Sequence, residues 1–93
     1  MPDEKPVPPF DPDAVAAEYK WRALANHVIA RIHAGELPPG ARLEGEREMS
    51  TMYRVALGTV RRAVRDLVER GWVVTLKAKG TYVKPAEEWP QED

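Results

Sequence analysis

Apolar residues recur with helical spacing in three stretches of the chain. Across residues 57–70, Val60, Ala63, Val64 and Leu67 stand at i, i+3, i+4 and i+7, which is one stripe for burial. Arg61, Arg62 and Arg65 fall outside that stripe, so a helix here hides one side and turns guanidinium groups outward. Gly71 follows as the residue that ends it. Upstream, Trp21, Leu24, Val28 and Ile32 mark one face of a helix predicted over residues 11–34. Asp11 is its expected N-cap, Pro12 its first helical residue and Gly35 its terminator, with a start several residues later as the alternative. Between these two lies a short helix over residues 46–53, with Met49, Met52 and Tyr53 as its apolar contacts, and Arg54-Val55 as the turn into the next.

Beyond Gly71 the period changes. Residues 72–76 (WVVTL) and 81–83 (TYV) are β-rich runs separated by Lys77-Ala78-Lys79-Gly80. This is a hairpin, with Gly80 at a tip position suited to positive φ. The connector over residues 35–44 (GELPPGARLE) is rich in turn formers and leaves room for a very short strand at 41–43. Residues 1–10 hold four of the nine prolines and little to bury, which predicts a disordered lead. Residues 85–93 predict an acidic, mobile tail in which Trp89 has no evident packing partner. The expected organisation is therefore a lead at 1–10, one folded domain at 11–84 and a tail at 85–93. Three helices followed by a two- or three-stranded antiparallel sheet make a mainly α fold with a β-hairpin wing, the winged helix-turn-helix layout.

Charge sharpens the picture. The net charge of −1 hides a strong asymmetry. Residues 1–20 carry five acids and two bases, and residues 85–93 carry four acids and no base. Residues 54–84 carry eight bases and only Asp66 and Glu69 as acids, a local balance of +6. A local positive field is what phosphate binding requires, so the folded centre points to nucleic acid. The acidic ends raise a further expectation, that they compete with DNA for the arginine face.

Other chemistries find little support. With no cysteine, disulfides and thiolate metal sites are excluded. His27 and His33 stand six apart on a helix and face different ways, so no metal site is expected. Ser50 is the single serine and has no histidine near it in the chain. There is no glycine loop to cradle phosphates and no histidine–carboxylate cluster. An enzyme is not expected, nor a cofactor. At 93 residues the chain is one small domain, no apolar run approaches the roughly 18 residues of a membrane span, and the N-terminus is not a signal peptide, so a cytoplasmic protein is expected.

Over residues 21–83 the sequence resembles the DNA-binding domain of the GntR family of bacterial transcription regulators. The resemblance rests on Trp21, the Gly35-Glu36-Leu37-Pro38-Pro39-Gly40 connector, Arg42-Leu43, Glu46-Arg47-Glu48, Val55, Thr59-Val60-Arg61-Arg62-Ala63, Leu67, Gly71 and Gly80-Thr81-Tyr82-Val83. It implies an operator-binding dimer whose third helix reads the major groove. Carried over by position, Arg47 and Arg61 contact bases or adjacent phosphates, Thr59 a phosphate, and Lys77 with its neighbours makes the wing contact. The residues expected to meet DNA are Arg47, Leu57, Gly58, Thr59, Arg61, Arg62, Arg65, Lys77, Lys79 and Gly80. The ordinary alternatives are ion pairing of Arg47 with Glu46 or Glu48, of Arg65 with Asp66, Glu69 or Glu48, and edge protection of the hairpin by Lys77 and Lys79.

The sequence departs from the family pattern in four places. Glu44-Gly45 stands where Pro-Ser is usual, putting an acid near the expected DNA surface. Ala56 replaces a helix-capping hydroxyl, a loss of about 0.5–2 kcal/mol. Leu57 replaces a common base-reading arginine, with Gly58 beside it near the helix start. Ala78 replaces the wing glycine. The expected function is a sequence-specific DNA-binding transcription regulator, a repressor acting as a homodimer on an inverted repeat, with no small-molecule effector pocket in this chain. The alternatives are a winged-helix module turned to protein–protein contact through Ala56, Leu57 and Gly58, and the DNA-reading fragment of a larger ligand-responsive regulator.

Overall fold

The computed structural model describes residues 7–91. Its helices are α1 (Lys20–His33), α2 (Glu46–Tyr53) and α3 (Leu57–Arg70), followed by strands β1 (Val73–Leu76) and β2 (Gly80–Val83). Helix α1 starts eight residues later than the first helical position expected at Pro12, behind two 3₁₀ turns at Pro12–Ala14 and Ala17–Tyr19. Asp11 does cap, but it caps the first of these turns, accepting from Asp13 N at 2.9 Å. Val15 and Ala16 then run extended. The reason is burial: Asp13, Ala14, Ala16, Ala17 and Glu18 are all exposed, so no packed face offsets the entropy of extending the helix.

Helices α1 and α3 meet through their apolar stripes, Leu24, Val28 and Ile32 against Val60, Ala63 and Leu67, with Met49 and Tyr53 of α2 completing the core. The turn between α2 and α3 is tight. Arg54 takes a left-handed conformation (φ 56°), and the Ser50 hydroxyl donates to the Val55 carbonyl at 2.6 Å. Ser50 is thereby part of the turn itself. Gly71, at φ 91°, ends α3 and directs Trp72 and Val73 into the core.

β1 and β2 pair antiparallel, from Val73 opposite Val83 to Leu76 opposite Gly80. The connector before α2 adds a third rung. Arg42 bridges Tyr82, with Val83 N donating to Ala41 O and Leu43 N to Thr81 O, each at 2.8 Å. The short strand expected at 41–43 is thus realised as a single bridge.

Both chain ends fold back where they are described. Phe10 packs edge-on against His27 and Tyr53, with centroids 5.5 and 5.6 Å away. Trp89, expected to lack a partner, lies 6.0 Å from the Trp72 ring and 5.9 Å from His33, and its indole N–H donates to Lys84 O at 2.7 Å. A 3₁₀ turn at Ala86–Glu88 makes that return possible. Residues 1–6 of the expected lead, and Glu92 and Asp93 of the expected tail, lie outside the described residues.

Candidate nucleic-acid interface

The first turn of α3 has an apolar cap. Ala56 is the N-cap residue and gives no side-chain hydrogen bond; Thr59 N donates to the Ala56 carbonyl at 3.0 Å, so the Leu57 and Gly58 amides are the ones left to solvent or a ligand. Leu57 and Thr59 are half-buried there, whereas Gly58 is exposed, with no atom within 4 Å of a Cβ built on it.

The arginines of α3 divide by direction. Arg61 is exposed, and its Nε donates to Glu46 Oε1 of α2 at 3.1 Å, leaving both η nitrogens without a partner among the described residues. Arg62 turns toward α1, its guanidinium 4.3 Å from the centre of the Trp21 ring. Arg65 is exposed and borders a shallow hollow of about 200 Å³ with Trp21, Arg62, Asp66 and Glu69. None of the carboxylates considered for Arg65 pairs with it; Asp66 instead takes Arg70 at 2.9 Å, and Arg70 also donates to Asn26 of α1. Arg47 of α2 is exposed, and the alternative of an ion pair with Glu46 or Glu48 is not realised; Glu46 is engaged by Arg61 instead.

The wing carries Lys77 and Lys79 on a three-residue loop, both exposed. Ala78 at its centre has φ 65°, the left-handed conformation that suits the glycine usual there. Gly80 has φ 122°, and a Cβ on it would lie 2.5 Å from Arg42 Nε. The positive φ is what calls for glycine here, and the missing side chain leaves room for Arg42 to lie over the wing. A cleft of about 320 Å³ lies between the wing and the start of α2, bordered by Arg42, Glu46, Lys77, Lys79 and Thr81. Arg42 was not among the residues expected to meet DNA. Its signal in the sequence was its place in the Arg42-Leu43 pair of the family resemblance, a lone cation in the segment with room for a very short strand.

Glu44, the acid expected near this surface, borders the cleft but is engaged by Arg31. Its carboxylate receives both η nitrogens of Arg31, each at 3.1 Å, and Arg31 also donates to the Tyr53 hydroxyl at 2.6 Å and to Glu36 at 3.3 Å. Only 14% of the Arg31 side chain and 20% of that of Glu44 are exposed. Burial opposes both charges, yet the bonds between them prevail, holding the Glu44 carboxyl below its ordinary range and strengthening the Arg31 charge. His27 beside this pair is pushed down, first by burial and then by the Arg31 charge, with Glu36 partly offsetting.

Among the described residues no group of His, Cys, Asp or Glu is arranged to hold a metal, and no helix is long and apolar enough to cross a membrane.

A family model described as "Bacterial regulatory proteins, gntR family" matches residues 21–83. The mannosyl-D-glycerate transport/metabolism system repressor MngR of Escherichia coli is 39% identical over 64 residues, 69% of this chain and 27% of that protein. The HTH-type regulator YurK of Bacillus subtilis is 45% identical over 61 residues, 66% of this chain and 25% of that protein. The chain thus spans about a quarter of the length of these relatives. Among solved structures, YtrA from Sulfolobus acidocaldarius, a GntR-family transcription factor, superposes with a TM-score of 0.71 at 31% identity, covering 81% of this chain and 79% of that one. The DNA-binding domain of AraR in complex with its operator ORE1 superposes with a TM-score of 0.66 at 25% identity, covering 74% and 88%.

Proposed function

The chain belongs to the gntR family of bacterial regulatory proteins, and from that premise we propose that it is a sequence-specific DNA-binding transcription regulator. Helix α3 enters the major groove, and the wing rests on a neighbouring phosphate or in the minor groove. The observation that carries this reading is a set of exposed cations with no carboxylate partner among the described residues. Arg47, Arg65, Lys77 and Lys79 are exposed, and Arg61 keeps both η nitrogens available. Arg61 pairs with a base edge while Glu46 holds its Nε, and Arg47 contacts a base or an adjacent phosphate. Leu57, Gly58 and Thr59 bring the start of α3 close to the duplex, where Gly58 lets backbone approach phosphate and Thr59 donates to it. Arg62 serves this surface by anchoring α3 on Trp21, and Gly80 by admitting Arg42.

The regulator works in the cytoplasm as a homodimer on an inverted repeat, and it represses by occupying promoter DNA. That MngR is named a repressor and that AraR was solved on an operator support the reading. Fluorescence-anisotropy titration with duplex DNA tests it. With four or five phosphates neutralised, affinity falls on the order of a hundredfold between 50 and 200 mM salt through counterion release. No binding, or binding indifferent to salt, overturns the proposal.

A further inference from the structure

We infer that Arg42 is a DNA-contacting residue of the wing and at the same time the residue that aims the wing's lysines; the inference rests on the DNA-binding reading above. Its backbone sets its direction. Arg42 sits between Ala41, which packs on the core, and Leu43, which is buried, so alternation along the bridge sends its side chain to the opposite, open side.

From there the guanidinium lies flat across Gly80, where an added Cβ would meet Nε at 2.5 Å and both Cζ and Nη2 at 3.2 Å. Nε donates to the carbonyl of Lys79 at 3.1 Å, and the Tyr82 hydroxyl donates to the same oxygen at 3.1 Å. A carbonyl has two lone pairs, so this one is fully used, and the loop carrying Lys77 and Lys79 is pinned at its end.

Only Nε is spent in this way. The two η nitrogens of Arg42 have no partner among the described residues, and the acids bordering the same cleft are already taken, Glu44 by Arg31 and Glu46 by Arg61. Arg42, Lys77 and Lys79 therefore present three cations around one cleft with no free carboxylate to neutralise them. A planar fork with two donors facing outward matches a phosphodiester better than any isolated ammonium does, and it carries no base preference in this position.

The test is the salt dependence of binding to a random-sequence duplex, measured for the unaltered chain, Arg42→Gln, Arg42→Lys and Lys79→Gln between 50 and 300 mM salt. Arg42 is exposed, so neither substitution opens the core. Arg42→Gln is expected to lower the steepness of log affinity against log salt by about 1, the value of one lost phosphate contact. Arg42→Lys is expected to keep the parent's steepness, because the cation remains, while binding several-fold more weakly because the tie to the loop is lost. An unchanged steepness in Arg42→Gln, in the same series where Lys79→Gln lowers it, overturns the contact. Equal affinities for Arg42→Lys and the parent overturn the aiming role. Absence of salt-dependent binding by the parent instead overturns the DNA reading itself.

Discussion

Ala56 places a methyl group where the leading amides of α3 lack a side-chain acceptor. Ala56→Ser is expected to raise unfolding free energy by about 0.5–2 kcal/mol, read from urea denaturation, because the serine oxygen reaches an orphan N–H. The Arg31–Glu44 pair acts in the other direction. Glu44→Ala leaves a largely buried guanidinium without its fork and is expected to cost about 2–4 kcal/mol in the same assay. The neighbouring titrations add an acid sensitivity. His27 is depressed in the folded state, so the unfolded chain binds its proton more readily, and stability falls as pH drops from about 6.5 through the lowered folded value. Glu44 is also depressed, so its contribution is present above about 4.5 and is lost as pH falls through its own folded value. Thermal melts from pH 7 to 4 check this, and His27→Gln should remove the upper part of the decline and spare the lower. The missing cap at Ala56 was legible in the sequence, whereas the buried ion pair and the setting of His27 were not. Arg31 and Glu44 stand thirteen positions apart across a proline-rich connector, and only the fold turns an acid expected on the DNA side into the partner of an α1 arginine.

At the scale of elements, the α3 stripe was readable because its apolar spacing is helical and its buried residues are those the spacing named: Val60, Ala63, Val64 and Leu67. The hairpin was readable from its change of period and Gly80 from its place at the tip, where φ is 122°, although the Arg42 side chain that lies over it is revealed by no local pattern. The start of α1 was misread because a proline and a capping aspartate signal a helix without saying how long it lasts, and the following residues have nothing to pack against. Trp89 was misread for a related reason. A proline-flanked, acidic stretch looks unstructured by composition, yet one large aromatic is enough to bind it to Trp72 and His33. Trp89→Ala is accordingly expected to destabilise the domain by about 1–2 kcal/mol, measured by chemical denaturation.

For the whole molecule, the informative quantity was the distribution of charge. A chain of net charge −1 keeps its basic residues in the folded centre and its acids toward the ends, and that arrangement was visible before any fold was known. What the sequence did not show is which cations remain available. Arg70 is committed to Asp66, whereas Arg62, though stacked on Trp21, keeps its donors, and Arg47, Arg61, Arg65, Lys77, Lys79 and Arg42 lack such commitments or keep donors to spare. If the acidic tail competes with DNA for them, Glu87→Gln with Glu88→Gln, which leave Trp89 in place, should tighten binding at low salt and change little at high salt. Equal affinity at both salts would dismiss that competition.

The central claim is that α3 reads sequence through Arg61 while the wing holds the backbone. The measurement that meets it most directly is selection of bound duplexes from a randomised pool, run in parallel with the unaltered chain and with Arg61→Ala at one salt concentration. The account predicts an enriched inverted repeat for the unaltered chain and loss of preference at one base pair of each half-site in the variant, with discrimination there falling by about 1–3 kcal/mol and non-specific affinity little changed. The same motif selected with equal preference by Arg61→Ala, or no motif enriched by either protein, would contradict it.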